Sequence, residues 1–234
     1  MAGRTRRQVS PLNRERVLRT ALKLADRGGL AELSMRNLAD ELSVEAMSLY
    51  HHFANKDEIL DGLVDIVFSE IIDPTDERNW HAAVRRRAIS VREALRRHPW
   101  AIGLMESRAV PGLENLKRHD SMLGLLRGAG FSMEMAGHAY ALLDSYVYGF
   151  ALQEKSLPFQ SHDELTTVGE GIMQQFPMEQ YPQLAAFMVD HAMQPGYSFG
   201  NEFLFGLDLI LDGLDRMRPR SRRGAGNQPS RGSE

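Results

Sequence analysis

The sequence predicts an all-α protein: an N-terminal three-helix domain containing a helix-turn-helix, joined to a larger helical domain. Three observations predict this. Apolar residues recur at spacings of three and four along most of the 234-residue chain. No segment alternates apolar and polar residues as a half-buried strand would. Capping residues and Gly or Pro stops divide the apolar pattern into segments of helix length.

The elements follow in order. Residues 1–12 read as a disordered basic arm carrying Arg4, Arg6 and Arg7. From Asn13 to Arg27, Val17, Leu18, Ala21, Leu22 and Ala25 form an apolar stripe, with Asn13 as cap and Gly28-Gly29 as stop. Ser34 starts a second helix through about Leu42, and Ser43-Val44 makes a corner. A third helix is expected from about Glu45 to His52. Asn55 and Glu58 have the spacing of a capping box at the head of a fourth helix reaching about Ile72. Trp80–Arg97 should be helical, stopped by His98-Pro99, with a short helix at Ala101–Arg108. Pro111 opens the next helix, which ends near Gly128-Ala129-Gly130. Ser132 caps a long helix through about Lys155, and Ser156–His162 is a loop. Helices are expected at Asp163–Gln175, Gln183–Met193 and Phe199–Met217, before a disordered tail at 218–234. The expected division is therefore an arm at 1–12, a head of short helices containing the helix-turn-helix at 13–56, a larger helical domain at 57–217, and the tail.

Composition excludes several chemistries. The chain has no cysteine, so disulfides, thiolate metal sites and cysteine nucleophiles are absent. Its formal net charge of −3 does not announce a nucleic-acid partner, so a DNA-binding surface would have to be local. No apolar run reaches the roughly 18 residues of a membrane span, and the charged N-terminus is not a secretory signal, so a cytoplasmic protein is expected. No P-loop, GxSxG, HExxH or dinucleotide glycine pattern occurs, so an enzyme is not expected. The eight histidines contain no i, i+4 pair, and neither a metal nor a cofactor is expected.

The segment from Leu33 to Leu60 carries the functional reading. Leu38, Ala39, Leu42, Val44, Leu49 and Phe53 supply an apolar interior that fixes the angle between two short helices. The other face of the third helix would offer Ala46, Met47, Ser48, Tyr50, His51 and His52, a weakly charged set suited to base edges and thymine methyls. Ser34, Tyr50 and Lys56 suit phosphate oxygens, and Arg36 suits a phosphate or a bidentate contact to guanine. Helix-corner-helix pieces also occur in helical domains that never touch DNA. Spacing alone leaves a DNA reader and a protein-interaction module both open.

The motifs Ser34-x-Arg36-x-Leu38-Ala39, Leu42-x-Val44, Leu49-Tyr50-x-His52-Phe53 and Asn55-Lys56 resemble the DNA-binding domain of the TetR family of repressors, from about Arg14 to Leu63. The resemblance implies that Arg36, Ala46, Met47, Ser48 and His52 lie toward bases, and Ser34, Tyr50 and Lys56 toward phosphates. Two positions depart from the pattern. Ser43 stands where glycine is usual, because that residue often needs positive φ. Glu45 stands where a serine cap is common.

The remainder resembles, more weakly, the regulatory domain of the tetracycline-repressor branch, through Trp80, Gly130-Phe131-Ser132-Met133-Glu134 and the long helix to Gln153-Glu154. The resemblance implies a homodimer through the helices near 132–155 and 199–217. Apolar residues on more than one side of both helices agree with that. It also implies a small-molecule effector among the helices after Trp80, with Arg87, Val91, Trp100, Met105, His119, Met122, Tyr140 and Asp144 as candidate contacts. Tetracycline repressors hold the drug as a magnesium chelate through a His and a Thr. A gap-free alignment back from Gly130-Phe131 puts Glu106 and Ala109 at those positions, and Ala109 cannot ligate a metal. A different, amphipathic effector is expected. The partners expected overall are a double-stranded palindromic operator, that effector and a second copy of the chain.

Overall fold

The computed structural model describes residues 11–74, 79–105, 107–108 and 111–218. The expected basic arm apart from Pro11 and Leu12, all but Arg218 of the tail, and positions 106 and 109 lie outside the described residues. Among the described residues ten α-helices follow one another and no strand occurs.

The head is built from local signals. In α1 (Arg14–Glu32) the Asn13 side chain accepts from the Arg16 N–H, and Val17, Ala21, Leu24 and Ala25 are buried. The helix breaks at Gly28-Gly29, where Gly29 takes φ 69°. Ser34 caps α2 (Met35–Leu42) by accepting from the Asn37 N–H at 3.1 Å. The corner turns on Ser43, the one non-glycine residue with positive φ among those described, at φ 56° and ψ 46°. Its strain is offset by two closing bonds: Ser43 N–H donates to the Asp40 carbonyl and Val44 N–H to that of Ala39. The third helix α3 (Ala46–Tyr50) is shorter than expected, because Glu45 makes no side-chain cap bond and the chain turns again at His51-His52.

Asn55 caps α4 (Lys56–Ser69) by accepting from the Glu58 N–H at 2.9 Å. The return bond of the expected capping box goes elsewhere. Glu58 accepts from the Ala54 N–H at 2.7 Å, one residue before the cap, and pairs with Arg14 at 2.8 Å. The backbone bond to Ala54, then Arg14, holds the Glu58 carboxyl below its ordinary pKa. The helix ends earlier than expected, at Ser69, but its apolar face from Ile59 to Phe68 is buried throughout.

The larger part contains α5 (Trp80–Arg97), α6 (Leu113–Gly128), α7 (Met133–Ser156), α8 (His162–Gln175), α9 (Pro182–Phe187) and α10 (Phe199–Met217). The bounds of α5 and α10 coincide with expectation. Two others do not. The helix expected at Ala101–Arg108 is a single 3₁₀ turn at Pro99–Ala101 followed by turns. Gly103 favours no helix there, Ala101 and Met105 are held in the core, and Arg108 is drawn away to α4. The helix expected at Gln183–Met193 starts at Pro182, as proline at the first helical position allows, and widens into a π turn at Met188–Ala192.

Helix α5 packs on α7 and α10, α6 on α4 and α7, and α1 on α2, α4 and the turn after α5. The boundary expected at 56/57 falls at the start of α4, and one apolar core runs unbroken from Val17 of the head to Leu214 of α10. An aromatic group at the α7–α10 contact locks the two together: Phe150 stacks on Phe199 at 4.8 Å and Tyr146 on Phe203 at 5.5 Å.

A polar joint ties the head to this body. Asp26 of α1 accepts from the Trp100 indole N–H at 2.7 Å and lies 2.7 Å from His98 Nδ1. His98 Nε2 lies 3.2 Å from Glu70, which also pairs with Arg97 at 2.7 Å. The end of α4, the end of α5 and the middle of α1 therefore meet at one buried imidazole.

Candidate nucleic-acid interface and effector site

The head presents a surface whose shape follows from the corner. Leu49 is buried against the head, which turns Met47 and Tyr50 of α3 outward at 69% and 46% exposure. Arg36 and His51 are also exposed, whereas Ala46, Ser48 and His52 are partly buried. Ala46 packs against the core rather than standing free. Of the eight DNA-contact candidates, Met47, Tyr50 and Arg36 thus project furthest. Ser34 Oγ already accepts the α2 cap bond, yet its hydroxyl hydrogen remains available to a phosphate.

Lys56 opens α4, and its ammonium lies 3.4 Å from the Leu30 carbonyl. That contact uses one of its three donors and aims the side chain along the seam between α1 and α4. Three other cations of the head are held by its own groups. Arg14 donates to the His52 carbonyl, lies over the Phe53 ring and pairs with Glu58. Arg16 reaches the Leu42 carbonyl at 3.3 Å, and Arg27 pairs with Glu32 and Glu41. Sequence reading did not identify Arg14 as a clamp on the corner. Its spacing from His52 carries no local signal.

The effector candidates divide into two groups. Arg87, His119, Tyr140 and Asp144 come together from α5, α6 and α7. Arg87 is buried, 3.7 Å from Asp144 and 3.5 Å from the Tyr140 hydroxyl, and its Nε has no hydrogen-bond partner. His119 meets the Tyr140 ring edge-on at 5.1 Å and the Phe68 ring of α4 at 6.2 Å. Val91, Met105 and Met122 are buried apolar residues of the same body. Trp100 stands apart from them: its indole N–H closes the joint with Asp26, away from the cluster around Arg87.

The described cavities lie elsewhere. One of about 260 Å³ opens between the ends of α5 and α7 and the starts of α8 and α10. Another, of about 240 Å³, adjoins it beside Pro99 and Lys155. No group of three or more His, Asp or Glu residues among the described residues is arranged to hold a metal.

Residues 57–118 contain a polar seam that sequence reading missed. Asp57 and Asp61 of α4 hold Arg108. Asp65, one turn on, accepts from the Glu114 and Asn115 N–H groups at 2.9 and 3.2 Å, capping α6 from another helix. Gly112 permits this, since a Cβ there would meet the Asp65 carboxylate at 2.2 Å. Arg118 then ties α6 to the end of α4 through the Ser69 carbonyl at 3.4 Å and Asp73 at 3.4 Å. An i, i+4, i+8 run of aspartates was the available signal.

Comparison with known proteins agrees with this architecture. Residues 17–63 match the family described as bacterial regulatory proteins, tetR family, and residues 73–218 match the tetracyclin repressor-like C-terminal domain. The HTH-type transcriptional repressor DrrR1 of Streptomyces coeruleorubidus is 33% identical over 216 residues, covering 87% of this chain and 77% of that protein. The class C tetracycline repressor of Escherichia coli is 28% identical, covering 90% and 94%. Among solved structures, the TetR family protein ActR of Streptomyces coelicolor in complex with (S)-DNPA superposes with a TM-score of 0.72 at 31% identity, covering 89% of this chain and 99% of that one.

Proposed function

Because this chain belongs to the tetR family of bacterial regulatory proteins, we propose that it is a ligand-responsive repressor that binds a palindromic operator as a homodimer and is released by a small-molecule effector. The observation that carries the reading is the rigid corner at Ser43, which presents Met47 and Tyr50 of α3 beside Arg36 on one exposed face. Met47 suits thymine methyls, and Arg36 can reach guanine or phosphate. Ser34, Tyr50 and Lys56 supply phosphate contacts at the flanks. Ala46, Ser48 and His52 sit closer to the head and read bases only where the groove approaches them. The reading is a cytoplasmic regulator rather than an enzyme. No helix of the described residues is long and apolar enough to cross a membrane.

One recognition helix touches few base pairs, so two are needed, held about 34–36 Å apart on one face of the duplex. The dimer face we infer is the exposed apolar surface of α7 and α10, where Leu142, Leu152, Phe205 and Leu209 are 47–67% exposed. The effector acts by favouring a different separation of the heads. Arg87, His119, Tyr140 and Asp144 provide polar recognition, with Val91, Met105 and Met122 as apolar wall. His119 touches Phe68 of α4, and the aspartate seam couples α4 to α6, so a shift of α6 is passed to the head through α4. ActR is seen with (S)-DNPA, and other relatives are tetracycline repressors. An amphipathic effector fits this chain, whereas alanine at position 109 disfavours a tetracycline–magnesium chelate.

A gel shift on the DNA upstream of the chain's own gene tests the reading. The intact protein should retard that fragment, with affinity falling steeply as salt rises. The Tyr50→Phe plus Lys56→Ala double variant should bind more weakly to all sequences and lower the log–log salt slope by about 1. Retained binding by a folded double variant would remove these residues from the interface.

A further inference from the structure

We propose that the two adjoining cavities at the ends of α5 and α7 form a second ligand site, separate from the cluster around Arg87, that accepts a small aromatic carboxylate. The cavities, of about 260 and 240 Å³, share Arg96, Glu154 and Gln160 as walls. Ligand pockets typically measure about 300–1,000 Å³. Either cavity alone falls short of that range, and the two together reach it.

The charge balance selects the ligand class. Arg92, Arg96 and Lys155 line the pair of cavities, against Glu154 as the one carboxylate of the lining. Glu154 is already committed. It takes Arg92 in a two-pronged contact at 2.9 and 2.5 Å, with both side chains less than one-fifth exposed. Arg92 is further fixed over the Phe150 and Phe203 rings and onto the Gly200 carbonyl. Arg96 stands 3.9 Å from Glu154 with its side chain 64% exposed, so most of its donors face the cavity and solvent. Lys155 spends one donor on the Pro99 carbonyl. The surplus is positive, and a carboxylate is the group that satisfies it by charge-assisted bonds.

Three further features complete the site. His162 Nδ1 is buried at its edge with no hydrogen-bond partner, which a ligand oxygen would supply. Burial, then Glu202, raises the Tyr197 hydroxyl above its ordinary pKa, so it stays a donor. Leu157, Phe159, Leu165 and Phe199 give the cavity an apolar side against which a flat ring can lie. The cation pair and the ring wall together specify an aromatic acid rather than an inorganic anion. None of Arg87, His119, Tyr140 or Asp144 lines either cavity. Pro99, which does, adjoins His98 of the joint, so an occupant sits beside the contact that holds the head.

The test is isothermal titration of the full chain with 2-naphthoate and, in parallel, 2-naphthamide. The carboxylate should bind saturably, and the amide about tenfold or more weaker. The exposed charge reversals Arg96→Glu and Lys155→Glu should each weaken naphthoate by a similar factor, with unchanged thermal unfolding. Arg87→Met should leave it unchanged. No saturable binding of naphthoate, equal affinity for the amide, or indifference to both reversals would overturn the proposal. So would loss of binding in Arg87→Met alone, which would place the compound in the interior cluster. The gel shift on the same preparation reads the regulator function separately.

Discussion

At the scale of single residues, Ser43 shows how a departure from a family pattern is tolerated. An L-residue in the left-handed region costs roughly 1–2 kcal/mol relative to the right-handed one. The corner keeps it there because Ser43 N–H and Val44 N–H close onto α2. Ser43→Gly should therefore stabilise the chain by about 0.5–1 kcal/mol, after the greater flexibility of glycine in the unfolded chain is counted. Urea unfolding should show a higher midpoint with an unchanged slope. A lower midpoint would mean that the serine side chain contributes more than its conformation costs. Glu58 illustrates the opposite case, a residue better placed than the box motif implies. Its carboxyl bridges Ala54 and Arg14, so its folded pKa is depressed. Its stabilising effect is thus present above the usual carboxylate range and disappears only as pH falls through the lowered folded value.

Among the elements, α4 carries the argument. Its apolar face was readable as an amphipathic stripe, and its cap as Asn55. Its polar face was not, because Asp57, Asp61 and Asp65 look like a solvated run until Arg108 and the start of α6 are brought against them. Gly112 provides no side-chain cap to α6, so Asp65 is its cap in effect. Asp65→Ala should cost about 1–2 kcal/mol, the range for a lost N-cap. It should also raise amide exchange in the first turn of α6 without changing that of α8. Unchanged exchange at Glu114 and Asn115 would show that water replaces the carboxylate at no cost. The same reasoning explains Trp100. As an aromatic residue after a helix stop it reads as pocket lining, but its indole N–H needs a partner when buried, and Asp26 provides one from 74 positions away.

For the whole molecule, the question is what covers α7 and α10. The monomer leaves Phe205 at 67% and Leu209 at 55% exposure while burying Phe203, Leu207 and Leu211 on the other side of the same helix. A helix apolar on both sides is a core element of an assembly larger than one chain. Phe205→Glu should weaken dimerisation by at least about tenfold, since burying one large apolar side chain is worth roughly 1.5–3 kcal/mol. Sedimentation would show monomer at concentrations where the parent is dimeric, and operator affinity would fall with it. An unaltered dimer would move the interface to another face.

The sequence by itself determined the local structure of this protein: the caps at Asn13, Ser34, Asn55 and Ser132, the stops at the Gly and Pro pairs, the extents of α5 and α10, and the corner that exposes Met47 and Tyr50. Those features rest on backbone preferences and on hydrogen bonds between residues a few positions apart, so they are written in short windows. Only the tertiary structure decided the joint of Asp26, His98, Glu70 and Trp100, the aspartate seam, and the cavities at the end of α5. Each of these joins charged or polar groups separated by tens of positions. Every such group is equally plausible as a solvated surface residue until the apolar faces have packed and brought its partner within hydrogen-bonding distance.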